Sequence, residues 1–467
     1  MIIMRPLPLL LGILYKVQES LASSLEQMQT VQHEKVSECE ELGTLLGHYW
    51  NLIRVADTSI RHVDSQHGDQ EEEEELTGER LISLSKRQYA ETLSIPEEQV
   101  VWVWSSKALN QSSLLSDHVP EHMITVDHHQ KAVILTLLGT KVFPAPQPLD
   151  IIMDLMATAE SFQDGVAHGG IGVGTRNLVK TAIPVIKNQL ETHPSYSLLV
   201  LGYSLGAGLA QLLTLDCQLG LCADSLPPDT VIRTIAFGSP PVFSRQGEQV
   251  VLENVFLVQN EEDGISGASL RNVYDLLNKA CLVHTLNIKR RNLLKLLFSD
   301  VVTEEDRELI DFQDDEFDPG SEWIDYDQLK TDEGSIISDI WTRIKETLGT
   351  YSSSVEEPEL HHLGGTFLVL RRSDEDVIEA EKYQGFEGTE VFARQLILKG
   401  SMISDHMPGA YNHLFEKYQN IYTTNQIPSL DVLDRLLPKA KDTEVGFRSK
   451  IKKKIKRVFD FFKDFGK

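Results

Sequence analysis

One short segment constrains the fold of this chain more than any other: an apolar run that enters a Gly-x-Ser-x-Gly motif and continues as a second apolar run. Residues 197–201 are almost entirely apolar and follow a Pro-Ser-Tyr break, which predicts a buried strand of a parallel sheet. Beyond the motif, leucines recur at helical spacing, at Leu205, Leu209, Leu212 and Leu213. The segment therefore predicts a strand, a sharp turn and a helix.

The turn makes Ser204 a candidate nucleophile. A serine between a strand and a helix adopts a strained backbone conformation that exposes its hydroxyl, and Gly202 and Gly206 leave room for it. The unpaired NH groups at the start of the helix favour a negative charge beside that hydroxyl. The motif alone is equally compatible with a plain turn of small residues, so the flanking strand and helix decide in favour of a nucleophile.

Strand and helix patterns alternate around this motif. Apolar, β-branched segments predict strands at 100–104, 122–127, 132–138, 230–237, 255–258 and 366–370. Helical spacing predicts helices at 149–159, 176–190 and 411–418. Such alternation is typical of a mostly parallel sheet covered by helices, so we expect an α/β fold.

Composition divides the chain into parts. Residues 1–95 are predicted to form helices and an acidic linker, packed on or leading to a catalytic domain at 96–440. Within that domain, 289–358 is an acidic insertion with too little apolar sequence for its own core, and 441–467 is a basic tail. The first 15 residues favour an amphipathic helix, with a signal peptide as the alternative, and no stretch reaches the length of a membrane span.

Charge separates the tail from the rest of the chain. The formal net charge of −26 at pH 7 argues against a nucleic-acid partner, because phosphate recognition needs a basic surface. Residues 447–467 instead carry nine Lys or Arg and two Asp, a net of +7, with apolar residues at helical spacing between them. This pattern favours a helix that lies on an anionic membrane surface. A nuclear-targeting cluster and a clamp on the acidic insertion are the alternatives.

The chain has four scattered cysteines, Cys39, Cys217, Cys222 and Cys281. None belongs to a metal-type Cys-x-x-Cys pair, so the sequence indicates no metal site of this kind. Few cysteines in a long chain favour reduced thiols in the cytoplasm.

A serine hydroxyl needs a base, and the base needs a carboxylate to orient it. Asp263 follows a predicted strand, where open α/β sheets place functional residues. His406 lies in a loop between the last predicted strand and a helix, which favours it as the base. The alternatives are Glu261 and Glu262 for the acid, and His284, His361, His362 and His413 for the base.

Several motifs in one order resemble the fungal-type (class 3) lipases, especially their diacylglycerol lipase branch. They are the strand that ends in Gly139-Thr140, the Ala-His-Gly-Gly-Ile run at 167–171, the serine motif at 203–208 and Asp-His-Met-Pro around His406. The similarity covers roughly residues 95–425. It implies an α/β-hydrolase fold with a mostly parallel sheet, flanking helices, and a long insertion before the catalytic histidine.

The resemblance also implies roles for individual residues. Ser204, Asp263 and His406 would form a catalytic triad, and Thr140 with the backbone NH of Leu205 would form the oxyanion hole. The implied protein is a peripheral membrane lipase that hydrolyses diacylglycerol-like acylglycerols without a metal or organic cofactor. A phospholipase A1 and a catalytically weak, lipase-like scaffold that binds a partner are the alternatives.

Three positions or segments qualify the resemblance. The family usually has Arg where Leu138 stands, which predicts loss of the salt bridge that positions the following loop, and reduced activity. Animal diacylglycerol lipases carry several N-terminal membrane spans, for which this sequence has no matching segment. His168 occupies a motif position, but we expect it to be structural because it precedes the nucleophile.

Overall fold

The computed structural model describes residues 33–36, 39–66, 78–105, 118–140, 159–272, 358–373, 377–393, 401–418 and 427–437, apart from 220, 221, 223, 224 and 247. The strands in this part of the chain are β1 (His33–Lys35), β2 (Val100–Trp104), β3 (His122–Asp127), β4 (Ala132–Leu137), β5 (Ala159–Phe162), β6 (Gly165–His168), β7 (Ser197–Tyr203), β8 (Ile232–Phe237), β9 (Phe243–Ser244), β10 (Leu252–Asn260), β11 (Gly364–Arg372) and β12 (Ile378–Gln384). The α-helices are α1 (Cys39–Gln66), α2 (Gly78–Leu93), α3 (Gly169–Thr192), α4 (Leu205–Leu219), α5 (Gly385–Ala393), α6 (Pro408–Leu414) and α7 (Asp431–Leu436).

Nine of these strands form one sheet in the order β1-β12-β11-β10-β8-β7-β4-β3-β2. The central strands β11, β10, β8, β7 and β4 are parallel, and antiparallel strands extend both edges. A small antiparallel sheet, β5-β6-β9, lies apart from the large one. The predicted mostly parallel sheet is confirmed, and the fold is that of an α/β-hydrolase, with Ser204 directly after the central strand β7.

The core is divided between the two faces of this sheet. In β7, Leu199 and Leu201 belong to one buried cluster, together with residues of α1, α2 and α6. Leu198 and Val200 belong to a second cluster, together with α3 and α4. Because successive side chains of a strand point to opposite faces, a strand buried on both faces has the continuous apolar sequence seen here.

The strands predicted between residues 100 and 370 are all present, with ends that differ by a few residues. Helix α3 begins at Gly169 rather than 176, because the His168 side chain caps it and four glycines conceal the helical pattern of its first turns. The acidic linker was predicted to begin at Asp64, but helix α1 runs to Gln66, so the first residues of that prediction are helical. Of the described helices, none combines the length and the apolar composition needed to cross a bilayer.

Several predicted segments lie outside the described residues. They are residues 1–32, most of the 149–159 helix, the insertion over 289–357, and the basic tail 441–467.

Candidate active site

Ser204 occupies the turn between β7 and α4 with a φ of +56°, the left-handed region that side chains other than glycine rarely adopt. Its backbone NH donates to the Phe237 carbonyl at 2.9 Å, which fixes the turn against β8. A Cβ on Gly202 would lie 2.2 Å from the Gly206 carbonyl oxygen. A Cβ on Gly206 would lie 2.4 Å from the carbonyl oxygen of Leu137. The two motif glycines are therefore required by backbone contacts on both sides of the serine.

The structure brings the three predicted catalytic side chains together. His406 Nε2 lies 2.9 Å from Ser204 Oγ, and its Nδ1 lies 2.9 Å from Oδ2 and 3.0 Å from Oδ1 of Asp263. In a neutral imidazole with its proton on Nδ1, this arrangement donates to the carboxylate and leaves Nε2 to accept from the serine hydroxyl. The carboxylate, imidazole and hydroxyl thus form one continuous hydrogen-bonded chain.

The Asp263 carboxylate is buried and fully hydrogen-bonded. Its Oδ1 accepts from the backbone NH of Ile265 at 2.9 Å, and its Oδ2 accepts from the Tyr411 hydroxyl at 2.9 Å. Glu261 instead contacts Arg371 and the backbone NH of Arg372, and the Glu262 backbone contacts Asp405. Of the three neighbouring acids, the structure brings Asp263 to the histidine.

The other candidate histidines in the described chain have different surroundings. The His362 ring is buried, and its Nε2 lies 2.8 Å from the Ser266 carbonyl oxygen. The His361 ring packs against Phe386 at a centroid distance of 5.1 Å. His413 is exposed and contacts Arg372. His168 Nδ1 accepts from the Ile171 NH at the start of α3, and His284 lies outside the described residues.

Tyr203, the residue before the serine, holds the loop that carries His406. The Tyr203 hydroxyl donates to the His406 carbonyl oxygen, and its ring stacks on the imidazole at a centroid distance of 5.2 Å. Asn260 adds a hydrogen bond from Nδ2 to the Asp405 carbonyl at 2.9 Å. Burial raises the pKa of Tyr203 above its ordinary range, so the phenol remains a donor.

Trp50 from α1 supports this group of aromatic rings. It stacks on Tyr411 at 4.8 Å and meets Tyr203 edge-on at 5.2 Å, and its Nε1 donates to Asn412 Oδ1 at 2.8 Å. Offset and edge-on aromatic pairs of this kind add directional stabilisation to apolar burial. Helix α1 is therefore part of the support for the candidate site.

Gly238 lies directly beside the acid and the histidine. A Cβ at this position would lie 2.7 Å from Asp263 Oδ2 and 2.9 Å from His406 Nδ1. Its φ of +56° also belongs to the left-handed region. Both observations require glycine here.

Of the two predicted oxyanion residues, Leu205 directly follows Ser204, and Thr140 adjoins a glycine that packs against Ser204. Leu205 is the first residue of α4, and Thr140 follows Gly139, whose added Cβ would lie 2.9 Å from the Tyr203 carbonyl oxygen and 3.2 Å from Ser204 Cβ. Leu138 is buried in the core, as an apolar residue requires. Leu138 cannot form the salt bridge that the family's arginine makes, but a different arginine, Arg61 of α1, donates to the Gly139 carbonyl and pairs with Glu121.

Sequence reasoning missed Tyr203, Tyr411, Trp50, Gly238 and Arg61. The position of Tyr203 inside the serine motif is the one sequence signal that marks it. The roles of the other four become visible only in the structure, through contacts between segments that are distant in the sequence.

Among the described residues, Glu359, His361 and Glu390 form one group of potential metal ligands, with ligand atoms within 4.8 Å of one another. Each is half-buried, and none is one of the predicted catalytic residues. Two carboxylates and an imidazole are a ligand set that divalent ions accept.

Comparison with known proteins gives matches of limited extent. Residues 135–272 match the family model described as Lipase (class 3), a region that contains Ser204 and Asp263 but not His406. Diacylglycerol lipase-beta of Mus musculus is 30% identical over 101 residues, which are 20% of this chain and 14% of that protein. The match therefore spans a small part of the relative's length.

Solved lipases resemble the chain more distantly. Lipase II from Rhizopus niveus is 18% identical, with a TM-score of 0.33, over 50% of this chain and 76% of that one. The Rhizomucor miehei lipase propeptide complex is 17% identical, with a TM-score of 0.32, over 50% and 64% of the two chains. A triacylglycerol lipase from Penicillium expansum is 15% identical, with a TM-score of 0.27, over 36% and 61%.

Proposed function

We propose that this protein, whose residues 135–272 carry the sequence pattern of the class 3 lipase family, is a serine ester hydrolase that acts on acylglycerols. The observation that carries the proposal is the hydrogen-bonded chain from Asp263 through His406 to Ser204. A strained turn that exposes the hydroxyl, directly before a helix, supports the same role for the serine.

In the first half-reaction, Ser204 Oγ attacks the ester carbonyl carbon while His406 Nε2 takes the hydroxyl proton. The C=O π bond opens, its electron pair moves to the carbonyl oxygen, and a tetrahedral oxyanion forms. The resulting imidazolium is stabilised by the Asp263 carboxylate, which holds Nδ1. His406 then gives the proton to the leaving alcohol as the C–O bond breaks, which leaves an acyl group on Ser204.

Water completes the cycle. His406 removes a proton from a water molecule that attacks the acyl carbon, and a second tetrahedral oxyanion forms. Its collapse releases the fatty acid and returns the proton to Ser204 Oγ. The Tyr203 ring and hydroxyl hold the histidine loop, so one imidazole serves both half-reactions in one position.

We assign oxyanion stabilisation to Thr140 and the backbone NH of Leu205. The helix α4 begins at Leu205, so its first NH groups and its dipole favour negative charge at this point. Each such donor contributes about 10²- to 10³-fold to turnover in serine hydrolases. Thr140 directly follows Gly139, whose added Cβ would lie 3.2 Å from Ser204 Cβ, and this proximity supports the assignment.

The substrate class follows from the family pattern rather than from a described pocket. The mouse relative is named a diacylglycerol lipase, which supports diacylglycerol as the first substrate to test. Hydrolysis of phosphatidylcholine in preference to diacylglycerol in one assay would instead indicate a phospholipase A1.

We further propose a peripheral, cytoplasmic protein that docks on anionic membrane through residues 447–467. Nine cations interleaved with apolar residues support the docking role. The full chain should sediment with vesicles of phosphatidylcholine and phosphatidylserine more than with phosphatidylcholine alone. Replacing Lys452, Lys453 and Lys454 with Gln should remove that difference. Sedimentation of this variant equal to that of the wild type would contradict the docking role of the tail.

The central experiment is covalent labelling with a fluorophosphonate probe, combined with turnover of a soluble short-chain ester. We expect labelling at Ser204 in the wild type, with loss of both label and turnover in Ser204→Ala. Ser83→Ala is the matched control, because Ser83 is exposed on α2. A folded wild type with neither label nor turnover would support a lipase-like scaffold instead.

A further inference from the structure

We propose, on the basis of the ester-hydrolase function above, that Arg61 of α1 is a positioning residue that orients the oxyanion donor at Thr140. Arg61 lies outside the 135–272 region that matches the lipase family. It reaches the loop after β4 from a helix 78 residues earlier in the chain.

The guanidinium of Arg61 uses all three nitrogens. Nη2 donates to the Gly139 carbonyl oxygen at 2.5 Å, Nη1 pairs with Asp57 Oδ1 at 2.5 Å, and Nε lies 3.4 Å from Glu121 Oε2. The Arg61 side chain is 15% exposed and that of Glu121 is 1% exposed. A planar guanidinium bound on three sides has one orientation, so its hydrogen bond to Gly139 has a fixed direction.

Glu121 contacts both Arg61 and the backbone that leads into the same loop. Its carboxylate binds Arg61, while its backbone carbonyl accepts from the Leu138 NH at 3.2 Å. Glu121 therefore holds both the arginine and the end of β4. The backbone is therefore held at two neighbouring points, at the Leu138 NH by Glu121 and at the Gly139 carbonyl by Arg61.

The Gly139 carbonyl and the Thr140 NH belong to one peptide unit. That unit is planar, and its C=O and N–H point in opposite directions in the usual trans form. A hydrogen bond that fixes the carbonyl therefore also fixes the direction of the Thr140 NH. Donation from a charged group to the carbonyl also polarises the peptide and strengthens its NH as a donor.

Orientation, rather than the field of a free cation, is the effect of Arg61. Two carboxylates, Asp57 and Glu121, face the guanidinium and offset its positive charge. Close packing leaves the loop little freedom, because a Cβ on Gly139 would lie 2.9 Å from the Tyr203 carbonyl oxygen. A small rotation of the peptide would carry the donor away from the developing oxyanion.

The test compares Arg61→Ala and Arg61→Lys with Arg54→Ala. Arg54 is the matched control, because it lies on the same helix and contacts Asn51 rather than the oxyanion loop. Lysine has one nitrogen for three acceptors, so it should recover little of the function. The measurements are kcat and KM for a soluble ester, and the affinity of a trifluoromethyl ketone, whose serine adduct carries an oxyanion.

We expect both Arg61 variants to lower kcat by about 10- to 100-fold, with KM within about twofold of wild type. The trifluoromethyl ketone should lose affinity by a similar factor, and methylguanidinium should partly restore turnover of Arg61→Ala. Arg54→Ala should match wild type. If Arg61→Ala does not fold, the folded Arg61→Lys variant carries the comparison.

Unchanged kcat in folded Arg61 variants, or lower kcat with unchanged ketone affinity, would overturn the proposal. A wild type that neither hydrolyses esters nor labels at Ser204 would reject the proposed function itself. Active wild type, inactive Ser204→Ala and unaffected Arg61 variants would reject the positioning role alone.

Discussion

Tyr411 donates its phenolic hydrogen bond to Oδ2 of Asp263 at 2.9 Å, across 148 residues of sequence. Both side chains are buried, and Trp50 stacks on the tyrosine ring. Burial, followed by the negative charge of Asp263, raises the pKa of Tyr411 well above its usual value, so the phenol stays protonated. The acid therefore has a neutral donor besides the histidine.

Tyr411→Phe removes this donor and keeps the ring. We expect the free energy of unfolding to fall by about 1.5–3 kcal/mol, the range for hydrogen bonds to charged groups, and kcat to fall by roughly tenfold. Urea unfolding and ester turnover measure the two effects. Tyr418→Phe is the control, because the Tyr418 hydroxyl contacts Glu40, and it should leave kcat unchanged. Equal loss of kcat in both variants would contradict a specific role for Tyr411.

Gly238→Ala should disrupt the acid and the histidine directly. The new methyl group would lie 2.7 Å from Asp263 Oδ2 and 2.9 Å from His406 Nδ1, where Cβ atoms essentially never approach. We expect kcat to fall by about 100-fold and stability by about 1–3 kcal/mol.

Gly409→Ala provides the comparison for that variant. Gly409 lies near the start of α6, three residues after His406, with nothing within 4 Å of an added Cβ. The Gly409→Ala variant should equal or exceed the wild type in stability, because alanine loses less conformational entropy than glycine when a helix forms. Ester turnover and fluorophosphonate labelling measure the effect on the site. Wild-type values of both in Gly238→Ala would show that the added methyl group does not disturb Asp263 or His406.

Local patterns in the sequence singled out the candidate catalytic residues and predicted much of the sheet. Ser204 is marked by glycines and by a strand and helix on either side, which is information within about a dozen residues. The choice of Asp263 and His406 required a rule about chain order and strand ends, and the structure places the His406 ring between Asp263 and Ser204. Residues 1–95 were predicted as helices and a linker without separate bounds for α2, and the strands β1, β5, β6, β9 and β12 were not predicted.

Physical reasons account for what was missed. Strand β1 has three residues and exists through its pairing with β12. The buried face of α2 includes the polar residue Ser85, which interrupts the apolar positions of that face. The contacts of Arg61 with Gly139 and of Tyr411 with Asp263 span 78 and 148 residues, and no local pattern encodes them. Contacts of this range form only when the helices pack on the sheet.

His122 should make stability depend on pH. Its buried ring stacks on Trp104, its Nδ1 lies 2.8 Å from the Pro120 carbonyl oxygen, and burial lowers its pKa to about 4. Because the unfolded imidazole binds a proton near pH 6.5 and the folded one does not, the stabilising contribution is complete above about pH 6.5. It is lost as the pH falls towards about 4, at up to about 1.4 kcal/mol per pH unit.

His122→Asn removes this titration and retains an NH that can donate to Pro120. We expect its free energy of unfolding in urea to fall less than that of wild type between about pH 6.5 and 4.5. His129→Asn is the control, because that imidazole is exposed. Parallel pH profiles for His122→Asn and wild type would show that the buried imidazole does not cause the slope.

The thiols of Cys217 and Cys222 should be inert in the native protein. Their Sγ atoms lie 2.7 Å apart, and both side chains are buried. The hydrogen bond between Cys217 and Cys222, followed by burial, raises the pKa of Cys217 well above its usual value. Alkylation requires the thiolate and access to it, and the fold restricts both.

We expect iodoacetamide at mildly alkaline pH to modify these two positions at least about 100-fold more slowly in the native protein than in urea. Peptide mapping by mass spectrometry, with and without prior reduction, assigns the label. Rapid native labelling would contradict the burial of the pair. Labelling in urea that needs a reductant would instead show a disulfide between the two cysteines. The expected reduced thiols and reducing compartment would then be wrong, because disulfides persist in oxidising compartments and are rare in the cytosol.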